Sequence, residues 1–260
     1  MIKEREVLGN DRIFNHNIRK FFYIDSIYKS YKKNNSVEFL CSINDSIYLS
    51  KPEWIKEKVK SNNILHTKII LEFYKNDIFR IMMTIPNKSF PEQKISDLLL
   101  QKNNLVPFYP SIRELKSKIE IKLENITLNV NKNPWQITVI DKKNNIIFSE
   151  NRTDIDGFNR FISFPIGYLY DKNIKRYNTF ETINLYPDEQ IYGLGEKFLP
   201  ITRKGQRIIS WNVDPICASS TDMAYKNIPF LLSTHGYGIF INKTSKIVYE
   251  IGTISTITYI

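Results

Sequence analysis

From Lys116 onward the chain alternates apolar and polar residues, with polar turns at ~8–12-residue intervals, the pattern of short antiparallel strands. SKIEIKLENITLNV (117–130) alternates through a turn at Glu124–Asn125, and PWQITVID (134–141) and IIFSE (146–150) flank the turn KKNN. TFETINLY (179–186), EQIYGLGEKF (189–198), RIISWNV (207–213), PFLLST (229–234), YGIFIN (237–242), SKIVYEIG (245–252) and TISTITYI (253–260) continue it. Upstream, HTKIILEFY (66–74) and DIFRIMMTI (77–85) predict a hairpin, and VEFLCSI (37–43) with DSIYLS (45–50) predicts a strand pair. The first 35 residues are polar and weakly periodic, and KSYKKNNS (29–36) reads as a turn or loop. Capping boxes at Ser50/Glu53 and Ser89/Glu92 predict one short helix through Lys60 and another over 94–102. The expectation is a mainly β fold, an antiparallel β-sandwich or barrel with one or two short helices.

Composition supports this. Ile, Val and Thr supply 63 of 260 residues, whereas Ala, the best helix former, occurs only at Ala218 and Ala224. Ile, Lys and Asn also share AT-rich codons, so a biased genome is an alternative source for part of that skew. A chain of 260 residues buries a real core without metal or disulfide staples. The net charge of +10 invites a nucleic-acid reading, but Lys and Arg are dispersed among 27 Asp and Glu, so nucleic-acid binding is not expected. No apolar run approaches the ~18–20 residues of a membrane span. The charged start MIKEREVLGNDR has no secretory h-region, so Cys41 and Cys217 are expected to be reduced, in a cytoplasmic setting. TISTITYI stops in mid-alternation, which predicts a surface that meets a segment C-terminal to it.

Several chemistries can be set aside. Gly193-Leu-Gly195 lacks the further glycines and helix start of a phosphate-binding turn and reads as a strand kink. His16, His66 and His235 have no ligand spacing, and His235-Gly236 reads as a hairpin turn. No Ser lies in a G-x-S-x-G context. What remains is a block from Tyr186 to Gly252 that combines aromatics, glycines and two isolated carboxylates, Asp214 and Asp222. Aromatic faces pack on the C–H faces of sugars, and carboxylates accept hydrogen bonds from neighbouring hydroxyls. By spacing alone, aromatics in a β-sandwich are more often core.

YPDEQIYGLGEKFLPITRKGQRIISWNVDP (186–215), followed by DMAYKNIPFLLSTHGYGIFIN (222–242), closely resembles glycoside hydrolase family 31. The WN-x-D and YKNIPF wording is nearest the bacterial α-xylosidase branch. The resemblance is strong over 179–252 and weaker from Lys116. It implies that residues 1–260 form an N-terminal β-sandwich resembling galactose mutarotase, preceding a (β/α)₈ catalytic barrel. It implies retaining hydrolysis of α-linked xylosyl or glucosyl oligosaccharides, with both catalytic aspartates on the barrel and none here. Cofactors and metals are not implied. The related α-xylosidases tend to be oligomers.

By the same resemblance, Asp214 reaches over the barrel mouth to bind sugar hydroxyls. Val213 stands where the family often has Arg. PICASSTD (215–222) is the variable part of the loop, with Cys217, Ser219, Ser220 and Thr221 as candidate substrate contacts. Trp211 is expected to anchor the core beneath the loop, and Glu196 to orient the loop or serve as a hydrogen-bonded structural residue. Tyr225, Asn227 and Pro229 are expected to shape the strand that carries the loop back. A free-standing carbohydrate-binding module without catalysis stays open as an alternative. A mutarotase or epimerase would need a His-containing acid–base site, and none is visible.

Overall fold

The computed structural model describes residues 19–45, 65–85, 106–152, 164–171, 175–214, 222–253 and 257–259. Their regular structure is entirely strand, in chain order β1 (Arg19–Lys33), β2 (Ser36–Asp45), β3 (Leu65–Tyr74), β4 (Ile78–Met83), β5 (Ser111–Glu114) and β6 (Lys118–Lys122). There follow β7 (Ile126–Lys132), β8 (Trp135–Asp141), β9 (Ile146–Ser149), β10 (Ile166–Asp171), β11 (Arg176–Asn184) and β12 (Ile191–Gly193). The last are β13 (Gln206–Ser210), β14 (Phe230–Ser233), β15 (Gly238–Phe240), β16 (Ile247–Ile251) and β17 (Ile257–Tyr259). Both predicted helices and the segment DSIYLS fall mainly or wholly on 46–64 and 86–105, outside the described residues.

The strands form three antiparallel sheets. The largest has the order β13-β16-β17-β11-β10-β1-β2-β3-β4; the others are β5-β6-β7-β8-β9 and β12-β14-β15. One buried cluster joins Ile24, Val37, Phe39, Ile69 and Leu71 of the large sheet to Ile119, Ile121, Leu128, Val130, Trp135 and Ile137 of the five-stranded sheet. Trp135 is fully buried and meets Phe39 edge-on, with ring centroids 5.5 Å apart. A second cluster joins Ile191 and Leu231 of the three-stranded sheet, with Leu194 of the turn after β12, to Ile208, Ile247, Tyr249 and Ile251 at the other end of the large one. Tyr237 and Ile239 pack against both clusters. The architecture is therefore a β-sandwich, one long layer facing two shorter sheets.

The expected hairpins at 66–85, 117–130 and 134–150 form as β3–β4, β6–β7 and β8–β9. His235-Gly236 lies in the β14–β15 turn, where Ser233 N donates to Tyr237 O at 2.9 Å. The first 35 residues need correcting. The stretch 19–33, weakly periodic in sequence, is a 15-residue strand, and only 34–35 turn. Register shifts between Ile24 and Ser26 and between Ile27 and Lys29 break the two-residue alternation that a sequence reading relies on. VEFLCSI accordingly pairs with β1 and β3.

Where the layers meet, Glu150 makes a bridge to Ile183 of β11, and its backbone N–H donates to Ile137 O at 2.9 Å. Its carboxylate is fully buried and accepts from Ile137 N at 2.5 Å and from the Trp135 indole at 3.4 Å. The Glu181 carboxyl lies against it, with Oε1 buried. Burial pushes both carboxyls well above the ordinary glutamate range, and at Glu181 the neighbouring Glu150 adds to the rise. The pair therefore holds a proton where a lone exposed glutamate has lost it.

Candidate functional site

The site is built on a left-handed turn. Gly193, Leu194 and Gly195 have φ of 100°, 67° and 81°. Leu194 N donates to Phe230 O at 2.8 Å and Glu196 N to Lys226 O at 3.0 Å, which seats the turn on the segment entering β14. A Cβ at Gly195 would stand 2.1 Å from Lys226 O, so only glycine fits this approach. The buried Arg203 closes the other side, donating from Nε to Gly193 O at 3.0 Å and from one terminal nitrogen to Pro200 O at 2.8 Å. The pair of glycines is the strand kink that its sequence suggested.

β13 ends at Ser210, and the chain leaves the sheet as Trp211, Asn212, Val213 and Asp214. It returns through 222–229 to Pro229, directly before β14, where a missing N–H costs little. The two limbs are cross-tied. Asn212 bridges Ala224, and Val213 N donates to Ala224 O at 3.1 Å. Asn227 Nδ2 donates to Asn212 Oδ1 at 2.8 Å and to Ala224 O at 2.9 Å. Asp222 Oδ2 accepts from Ile209 N at 2.9 Å. Lys197, half-buried, donates from Nζ to Asp222 O at 2.6 Å, to Ile209 O at 3.3 Å and to the amide oxygen of Asn227. Burial lowers the Lys197 ammonium, and the Asp222 charge opposes that.

Asp214 sits exposed at the outer end of the first limb, and Oδ1 accepts a hydrogen bond from the Tyr225 hydroxyl. This bond raises the Tyr225 phenol above its ordinary value. Tyr225 therefore does more than shape the returning strand. Trp211 is 51% exposed, so the expected core anchor is corrected: it follows the last residue of β13, where inward alternation has ended. Glu196 is exposed, with its carboxylate 3.1 Å from Lys226 Nζ, a surface pair worth at most about 1 kcal/mol. Cys217, Ser219, Ser220 and Thr221 lie outside the described residues. The sequence reading missed Lys197 and Arg203, because bonds to main-chain carbonyls leave no periodic signal. Among the described residues no group of three or more His, Cys, Asp and Glu could hold a metal ion, and no helix is long and apolar enough to cross a membrane.

Phe230 and Leu232 face outward from β14 while Leu231 faces the core, and Ile228, Phe198 and Ile201 are also exposed.

The family model described as the glycosyl hydrolase 31 N-terminal galactose mutarotase-like domain matches residues 68–250. The α-xylosidase XylQ of Lactiplantibacillus pentosus is 41% identical over 89 residues, 34% of this chain and 11% of that protein. An α-xylosidase of Emericella nidulans is 42% identical over 73 residues, 28% of this chain and 9% of the relative. The matched segments thus span about a tenth of these relatives. Among solved structures, a family-31 dextranase of Flavobacterium johnsoniae complexed with glucose superposes with a TM-score of 0.67 at 24% identity, over 91% of this chain and 24% of that one. The cycloalternan-forming enzyme of Listeria monocytogenes gives 0.69 at 14% identity, over 93% and 19%. At these identities the superpositions bear on fold alone.

Proposed function

Because the chain belongs to the glycosyl hydrolase 31 N-terminal galactose mutarotase-like domain family, we propose that it forms the sandwich domain of a retaining, α-xylosidase-like glycosidase. The substrates are α-linked xylosyl or glucosyl oligosaccharides. The observation that carries this reading is Asp214, exposed on a loop whose two limbs are tied by main-chain and side-chain hydrogen bonds. A held carboxylate loses little freedom when it binds. The Tyr225 hydroxyl occupies Oδ1, leaving Oδ2 to accept from a sugar hydroxyl. The exposed ring of Trp211 offers a face to the C–H side of a sugar. Bond cleavage belongs to the catalytic barrel, whose two aspartates act as nucleophile and general acid. Residues 1–260 form the sandwich, and the exposed apolar side chains of Phe198, Ile201, Ile228, Phe230 and Leu232 are the ones the barrel covers.

The chain by itself turns over neither an aryl α-xyloside nor an aryl α-glucoside; turnover by the pure chain overturns this reading. In the polypeptide that carries the barrel, Asp214→Asn lowers kcat/KM for the aryl α-xyloside by about ten- to a hundredfold, the equivalent of one charged hydrogen bond. An unchanged kcat/KM removes Asp214 from the substrate site.

A further inference from the structure

We infer that Lys197 is a positioning residue for Asp214: its ammonium holds together the two limbs of the loop and, through Asn227 and Asn212, sets where the Asp214 carboxylate stands. The inference rests on reading Asp214 as the sugar-binding carboxylate, but its geometry stands apart from that reading. An ammonium has three N–H donors spread tetrahedrally from one point. At Lys197 there are three acceptors, Ile209 O at the end of β13, Asp222 O on the returning limb, and Asn227 Oδ1. The first lies on the strand that leads into the loop, and the other two stand at separate points of the returning limb, so one ammonium ties both sides.

The third bond extends the effect. By taking Oδ1, Lys197 fixes which way the Asn227 amide faces, so that Nδ2 points to Asn212 Oδ1 at 2.8 Å and Ala224 O at 2.9 Å. Asn227 N also donates to Asn212 Oδ1, at 3.3 Å. Asn212 is two residues before Asp214, and Ala224 directly precedes Tyr225, which bonds Asp214. One half-buried cation thus determines the spacing of both residues in the carboxylate–phenol pair. Asp222 supports the arrangement from the opposite direction, its Oδ2 accepting from Ile209 N while its main-chain oxygen accepts from Lys197. A methionine at 197 preserves length and apolar stem but leaves all three acceptors without their donor.

The Tyr225 phenol reports the geometry directly. In the chain carrying Cζ-labelled tyrosine, NMR titration is expected to give a Tyr225 resonance, assigned with Tyr225→Phe, that titrates above an ordinary tyrosine because its hydroxyl donates to Asp214. Asp214→Asn removes the displacement and marks its full size. Lys197→Met is expected to remove at least half of it while the indole resonance of the buried Trp135 keeps its folded position. A folded Lys197→Met chain with the wild-type Tyr225 titration overturns the proposal, since a merely stabilising lysine would leave it there. Should that variant fail to fold, Lys197→Gln is read in the same way: an intermediate titration supports positioning, and a wild-type one overturns it. Methyl α-xyloside affinity, measured on wild type and Asp214→Asn in the polypeptide that carries the barrel, separates the two readings. Equal affinities remove the sugar-binding role and leave the Tyr225 result to decide the positioning role.

Discussion

Gly195 shows how much one absent atom permits. Its left-handed backbone and the approach of Lys226 O leave no room for a Cβ, whereas Gly205, also left-handed at φ 78°, faces open space. Alanine at 205 therefore pays only for the backbone conformation, about 1 kcal/mol, while alanine at 195 must also push back a main-chain carbonyl and costs clearly more. Urea denaturation of the two variants checks this; equal losses would mean that the Gly195 contact relaxes freely. At this scale the sequence was informative where wording is specific and silent where bonds run to the main chain. WN-x-D singles out Asp214, which the structure leaves exposed on its loop, and the Gly-Leu-Gly kink could be found from its glycines. Lys197 and Arg203 could not, since nothing in the alternation distinguishes a lysine facing water from one facing three carbonyl-type oxygens. Trp211 misled because its apolar bulk suggests burial, while its position past the end of β13 decides exposure.

At the scale of elements, hairpins with unbroken alternation were legible and the bulged β1 was not. The same period-two rule explains both outcomes, because a bulge swaps which face each later residue meets. The junction between β9 and β11 is the element with the clearest pH consequence. Glu150 and Glu181 are each held more neutral by burial, and Glu181 further by the charge of Glu150, so the folded chain keeps a proton that the unfolded chain releases in the ordinary glutamate range. The groups facing the Glu150 carboxyl include the Ile137 N–H and Trp135 N–H, with the buried Cys41 nearby, whose thiol is pushed up by its own burial and by Glu150. A raised carboxyl contributes stability that is complete below the unfolded value and is lost as pH rises toward the folded one. Stability should therefore fall as pH climbs from the ordinary glutamate range, by at most about 1.4 kcal/mol per pH unit for one proton. Glu181→Gln should flatten this slope in denaturation curves collected across pH; an unchanged slope would place its origin elsewhere.

At the scale of the whole molecule, the excess of Ile, Val and Thr over Ala reads correctly as a sandwich, since stiff side chains fill the space between pleated layers. Which sheet each strand joins was not legible, because alternation gives a strand's inner face and says nothing of its neighbours. β17 is the sharpest case. Its Thr258 is registered against Ile183 of β11 on one side and Ile251 of β16 on the other. Among the described residues, the pair β13–β16 and the run β11-β10-β1-β2-β3-β4 are joined within the sheet only through it. Proline at 258 removes a donor from a strand bonded on both edges. Hydrogen exchange should then quicken in β13 and β16 while β6, β7 and β8 keep their protection; uniform protection would show that the join lies elsewhere.

That placement also orders events in time. A polypeptide leaves the ribosome from its N-terminus, so β11 and β16 are both made before the strand that unites them. For the interval in which residues up to 256 have emerged, the long layer exists as two unjoined pieces, each with a bare edge where β17 will lie. Bare edges are the surfaces on which nascent chains pair wrongly with one another. These two edges therefore stay open to misassembly until Ile257 emerges, and the strand that closes them is three residues long.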